Sequence, residues 1–163
     1  KVIINPLRIK DRIMNELSNN IVLYYTQTSR NSSDIIVQQQ KNVNAGNPKS
    51  IDAMHHLKEQ AVMMKEALLK GQLDLIGEIL NMGWLHKKQM AEGITTQLFE
   101  ELYNTALQAG ATGGKISGAG GGGYIFFYCP GNTRYNVIKA LNKYGGYVQK
   151  YEFTKMGLET WIS

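Results

Sequence analysis

The sequence predicts an α+β domain: a ferredoxin-like, four-stranded antiparallel sheet with helices packed on one face and an inserted helical block. Three observations carry that expectation. Strand-helix-strand patterns stand at both ends of the chain. Between them lie long stretches whose apolar residues recur every three or four positions, the mark of helices with one buried stripe. Finally, eight of the 17 glycines crowd into residues 110–123, between a helix pattern and a solid apolar strand pattern.

Taken in order, residues 2–9 predict an opening apolar strand and residues 10–17 a short helix with Ile13 and Leu17 inward. Asn19-Asn20 punctuates the chain before a second strand over 21–26. Asn31 or Ser32 is placed to cap a helix running to residue 40, with Ile35 and Ile36 as its apolar contacts. The polar stretch 41–49, with Gly46 and Pro48, predicts a mobile loop. Ser50 then caps a long helix whose stripe is Ile51, Met54, Leu57, Ala61, Met64 and Leu68, and Gly71 ends it. A helix over 74–90 carries Leu75, Ile76, Ile79, Leu80 and Leu85, and the short link before it predicts an antiparallel pair. Thr95 or Thr96 opens the next helix, with Leu98, Leu102 and Ala106 inward and Gly110 as a left-handed stop.

Residues 124–129 are apolar on both faces, which predicts a central strand. Pro130-Gly131-Asn132 turns the chain into a helix over 133–144 that Gly145-Gly146 stops. Residues 147–154 alternate as a half-exposed strand, and 157–161 could add an edge strand.

The glycine-rich stretch, read as a loop joining helix to strand, is the candidate functional element. Glycine there costs folding entropy, and it is expected where amides approach a ligand closely or adopt positive φ. Consecutive N–H groups in a turn form an anion-binding concavity, with Lys115 and Ser117 at its edge. Two familiar glycine signatures fail. Gly118, Gly120 and Gly123 have G-x-G-x-x-G spacing, but a dinucleotide fingerprint follows a strand and opens a helix, the reverse of the order here. A Walker A loop needs Ser or Thr after Gly-Lys and a glycine six residues before the lysine, where this chain has Ile116 and Ala109.

The run Lys115-Ile116-Ser117-Gly118-Ala119-Gly120-Gly121-Gly122-Gly123 instead resembles the third signature of the GHMP kinases. Asn5-Pro6-Leu7 and the segment from Leu23-Tyr24-Tyr25-Thr26 to Ser32 are similar to the C-terminal half of that family's heptose phosphate kinases, with Gln27 standing where that branch has glycine. The resemblance implies the C-terminal domain of an ATP-dependent sugar kinase that transfers the γ-phosphate to a sugar phosphate, its loop lining the cleft where ATP phosphates meet the acceptor. Other branches of the family, acting on a hexose, mevalonate or homoserine, share the loop. A non-catalytic binding module that keeps the fold is the alternative from another class.

The resemblance also implies that an N-terminal domain carries the sugar signature, a second phosphate loop and the catalytic carboxylate, so no catalytic residue is expected on this chain. The sequence begins at Lys1 inside a strand pattern and is expected to be a fragment, inactive alone. ATP and Mg²⁺ are the implied cofactors, held largely by that other domain, because phosphoryl transfer rests on positioning and electrostatic stabilisation from both walls of a cleft.

Within this chain the candidates are the backbone of Gly118, Ala119, Gly120, Gly121 and Gly122, the Lys115 ammonium and the Ser117 hydroxyl. Lys115 either contacts phosphate or points to solvent, and Ser117 either donates to phosphate or bonds its own turn. Arg30, just past the second strand and before a helix, is a candidate for the phosphate already on the sugar, or else pairs with Asp34.

Composition agrees with an ordinary globule: 163 residues, 43% hydrophobic and 19% charged. The net charge of +5 is spread over scattered lysines without a run of five, and residues 124–129 lack a basic-aromatic RNA-binding pattern, so no nucleic-acid partner is expected. One cysteine, no leading signal pattern and no apolar run of eighteen predict a cytoplasmic protein with no membrane partner. His55 and His56 are adjacent on a helix, unlike a metal pair at i and i+4, and no metal site is expected. Cys129 lies in the apolar strand and reads as an inert core thiol.

Overall fold

A computed structural model describes residues 3–28, 32–158 and 160–161. Its helices are α1 (Asp11–Asn20), α2 (Ser32–Asn44), α3 (Pro48–Lys70), α4 (Asp74–Lys87), α5 (Gln97–Gln108) and α6 (Thr133–Leu141). The strands are β1 (Ile21–Tyr25), β2 (Gly113–Ile116), β3 (Tyr124–Tyr128) and β4 (Tyr147–Val148). They form one sheet in the order β2-β3-β1-β4, every neighbouring pair antiparallel. Each crossover therefore skips one strand, which is the ferredoxin-like arrangement, with α2–α5 inserted between β1 and β2.

The four strands are not the four that periodicity suggests. Residues 3–9 form no strand, and Ile3 and Ile4 are 72% and 82% exposed. Both sides of β1 are already paired, by β3 and β4. The missing strand is β2, inside the glycine-rich stretch. Glycine has low strand propensity because it brings no side chain to pack. Here close approach of backbones decides instead: a Cβ on Gly113 would lie 1.9 Å from the Gly77 carbonyl oxygen, so two glycines let α4 lie directly against β2.

Alternation along β1 and β3 divides the interior in two. Val22, Tyr24, Ile125 and Phe127 face a core with Phe99, Leu102 and Ala106 of α5 and Val137 and Leu141 of α6. Helices cover the opposite face too, not one face alone as the sequence predicts: there Ile21, Phe126 and Tyr128 meet Ile13 and Leu17 of α1 and Ile76, Ile79 and Leu80 of α4. Burial within the first core pushes the Cys129 thiol up to about 12, which keeps it protonated and unreactive.

Other boundaries shift for local reasons. Helix α2 continues to Asn44, so only three residues of the expected loop at 41–49 link it to α3. Asn47, not Ser50, caps α3: its side chain accepts from the Ser50 amide at 3.2 Å, with Pro48 in the first helical turn. Ser50 is buried and donates to the Met90 carbonyl at 3.1 Å. Helix α4 stops at Lys87, three residues before the expected end. Gly71 and Thr96 act as expected, the first at φ 70° closing α3, the second accepting from the Phe99 amide at the start of α5.

Helix α6 runs on into a 3-10 turn (Asn142–Tyr144). The strand expected over 147–154 is two residues long, after which the chain leaves the sheet and the Tyr151 hydroxyl donates to the Ser18 carbonyl at 2.7 Å. No further edge strand forms among the described residues of 157–161. The α3 stripe also differs: Met54 is exposed, whereas Ala53, Gln60 and Ala67 are buried.

Candidate functional site: the glycine hairpin and its two lysines

The stretch read as one long loop is a hairpin, in which β2 and β3 pair from Gly113 opposite Tyr128 to Ile116 opposite Ile125, leaving residues 117–123 as the connection. The Ser117 amide donates to the Tyr124 carbonyl at 2.8 Å and closes the hairpin. Gly118, Gly120, Gly121 and Gly123 all have positive φ, from 73° to 118°, a run that only glycine adopts without strain.

Two anchors hold this connection. The Gly121 amide donates to the Ile94 carbonyl at 2.9 Å, and a Cβ on Gly120 would lie 2.6 Å from that oxygen, so bare backbone rests on the buried Ile94 turn. At the far end the Gly123 amide donates to the Thr28 carbonyl at 2.7 Å. The Gly123 carbonyl in turn accepts from the Thr26 amide at 3.0 Å and the Thr26 hydroxyl at 2.8 Å. Gln27 sits between those threonines at φ 56°, the one non-glycine with positive φ among the described residues.

What these anchors leave over is the candidate feature. Among the described residues, the amides of Gly118, Ala119, Gly120 and Gly122 have no protein acceptor. Gly121, grouped with them on sequence grounds, is engaged by Ile94 and shapes the turn. Ser117 is exposed, Ala119 half-buried and Gly120 buried. Lys115 is half-buried on β2. Arg30, with Ser29 and Asn31, lies outside the described residues.

A second cation joins Lys115. Lys87, the last residue of α4, donates its ammonium to the Gly118 carbonyl. Burial, and then the neighbouring charge of Lys115, push its pKa down to about 8. Two ammonium groups that repel each other, beside free amides, make a candidate anion site on electrostatic grounds. Sequence reasoning missed Lys87 because it lies 31 residues from Gly118 and looks like any exposed lysine at a helix end.

Both lysines, with Gly118 and Ala119, line one end of a cavity of about 620 Å³ between the sheet, α3 and α4. Leu57, Ala61, Met64 and Leu68 of α3 line this cavity, and Met64 and Leu68 also pack against the second core.

Residues 64–146 match the model of the family described as GHMP kinases C terminal. The chain belongs to that family. Its hairpin is thus the structural form of the family resemblance found at Lys115 to Gly123. Over 161 residues it is 43% identical to the D-glycero-alpha-D-manno-heptose 7-phosphate kinase of Campylobacter jejuni, covering 99% of this chain and 47% of that relative. It is 30% identical to the mevalonate kinase of Pyrococcus furiosus, covering 85% of this chain and 42% of the relative. Among solved structures, a D-glycero-D-manno-heptose 1-phosphate kinase from Bacteroides thetaiotaomicron superposes with a TM-score of 0.59 at 33% identity, over 90% of this chain and 37% of that one. The chain spans about half the length of the curated heptose kinase that it matches.

No group of three His, Cys, Asp or Glu side chains gathers among the described residues, and what the hairpin leaves unengaged beside the two lysines is a set of amide donors. Such a donor set suits phosphate oxygens and does not suit Mg²⁺, which takes oxygen ligands. No helix among the described residues is long and apolar enough to cross a membrane.

Proposed function

We propose that this GHMP kinase domain forms one wall of the active cleft of an ATP-dependent sugar phosphate kinase, and that its hairpin holds the phosphate groups there. The observation that carries this reading is the set of four unengaged amides at Gly118, Ala119, Gly120 and Gly122, flanked by Lys87 and Lys115. These donors are already in place, so they stabilise charge on a transferring phosphoryl group without reorganising. Ser117, exposed at the hairpin entrance, adds a hydroxyl donor. Arg30 takes the phosphate that the sugar already bears.

On this reading the other wall belongs to an N-terminal domain of the same protein, which supplies the catalytic carboxylate and the ligands for Mg²⁺. ATP brings the phosphoryl group, and the acceptor is a heptose phosphate, as in the relatives' names. The reaction takes place in the cytoplasm, where ATP is plentiful.

The test is a transfer assay on the full-length protein with ATP and D-glycero-D-manno-heptose 7-phosphate, the corresponding 1-phosphate, and mevalonate as acceptors. Turnover of a heptose phosphate, lowered at least tenfold when Lys87 and Lys115 are both changed to methionine, is the expected result. Turnover of mevalonate alone would move the protein to another branch. If the double variant turned over like the native protein, the assignment of the hairpin to phosphate would be wrong.

A further inference from the structure

Gln60 is 8% exposed in the middle of α3, and its Oε1 is sealed from solvent with no hydrogen-bond partner. The amide as a whole makes no hydrogen bond to any described residue. A buried polar group left unsatisfied costs about 1–3 kcal/mol. An apolar residue at this position would avoid that cost, as Ala53 and Ala67 do along the same face of α3.

The surroundings of this amide point to a ligand. Gln60 lines the cavity whose other end is Lys87, Lys115 and Gly118. Its Oε1 lies 3.0 Å from where a Cβ of Gly83 would stand. Gly83 and Lys87 are four residues apart on α4, which places them on one face about 6 Å apart along the helix axis. The unpaired amide therefore stands beside Gly83, about one helical turn from the backbone of Lys87, whose ammonium touches the phosphate hairpin. Glycine at position 83 keeps the intervening wall bare. Between these two points the cavity is largely apolar, lined by Leu57, Ile79, Leu80 and Phe126, so few groups besides the amide can read a polar atom there.

We infer that Gln60 is a specificity-determining residue: its amide hydrogen-bonds a hydroxyl of the phosphorylated polyol acceptor, whose reacting hydroxyl meets the phosphoryl group held at Lys87, Lys115 and the hairpin. This rests on the reading of the hairpin as a phosphate site. Rotation of the terminal amide presents either its oxygen or its nitrogen to the cavity, and a hydroxyl can pair with both. A site built around such a bond rejects an analogue lacking the hydroxyl, because the protein group then stays buried and unpaired.

Two measurements on the full-length protein test this. With the native protein, D-glycero-D-manno-heptose 7-phosphate and 1-phosphate are compared with their monodeoxy analogues by kcat/KM and by calorimetric binding. One analogue is expected to bind about tenfold or more weakly than its parent. In Gln60→Met, which keeps the length of the side chain, that discrimination disappears, KM for the acceptor rises about tenfold, and KM for ATP holds. Thermal unfolding of the variant at or above the native temperature shows that the fold survives.

Equal handling of every analogue by the native protein overturns the inference, even if the variant does not fold. So does a folded variant with native acceptor KM. In both cases a native protein that still phosphorylates a heptose phosphate leaves the phosphate site standing. Failure to bind or turn over any sugar phosphate would remove the phosphate site and Gln60's role together.

Discussion

Lys87 offers the sharpest quantitative test of the site. Its pKa falls from the ordinary 10.5 to about 8, first because it is buried and then because Lys115 repels it. At about 1.36 kcal/mol per tenfold change in proton affinity, the charged form is disfavoured by about 3 kcal/mol in the folded state, reduced to about 2 once partial exposure is allowed for. The sign follows from proton counting. Below pH 8 both folded and unfolded chains carry the proton, and the folded state bears the whole cost of the buried charge. Between pH 8 and 10.5 the folded chain releases the proton while the unfolded chain keeps it, so stability rises with pH in that window.

Lys87→Met has no such group, and its stability relative to the native protein should fall by about 2 kcal/mol between pH 7 and pH 10. Urea unfolding at the two pH values measures the difference directly. A phosphate-bearing ligand gives the functional counterpart. Native affinity for pyrophosphate should weaken as pH rises through 8 and the ammonium is lost, whereas the variant binds more weakly at pH 7 and lacks the loss attributable to Lys87. Parallel stability profiles for the two proteins would refute the claim that Lys87 is held charged against its surroundings beside the hairpin.

Two further perturbations separate architecture from ligand contact. At Gly118 a Cβ meets open space but the φ of 80° is strained for any side chain, so Gly118→Ala should cost about 1–2 kcal/mol while weakening pyrophosphate binding. Gly120→Ala adds a 2.6 Å contact with the Ile94 carbonyl to a φ of 118°, and calorimetry should show a larger stability loss than for Gly118→Ala; equal losses would contradict the Ile94 anchor. Far from the ligand, Gly113→Ala would place its Cβ 1.9 Å from the Gly77 carbonyl oxygen, forcing α4 off β2 at a cost of about 3 kcal/mol in denaturant unfolding. Native stability in that variant would show that the helix–strand contact is not tight.

Much of this architecture was legible because it rests on local patterns. The α4 and α5 helices, the Gly71 stop, the Thr96 cap and the apolar run of β3 each follow from residues within one or two turns of each other. The hairpin's need for glycine was legible for a related reason. Residues that demand positive φ leave few alternatives to glycine, and the family resemblance adds their order. Gln27 stands where the resemblance implies glycine, and its φ of 56° shows why glycine suits that turn.

What sequence could not decide depended on partners distant along the chain. Residues 3–9 have the composition of a strand but find both sides of β1 taken by β3 and β4, while Gly113–Ile116 lack strand propensity yet pair with β3 because α4 meets them backbone to backbone. Likewise Lys87 and Gln60 carry no local signal. Lys87 becomes part of the site only when α4 ends under Gly118, and Gln60 only when α3 turns it into the cavity beside Gly83. Local conformational limits were written into the residue types themselves. Proximity of remote groups, and with it the loss of solvent that shifts a lysine or strands an amide, came into being only when the helices packed.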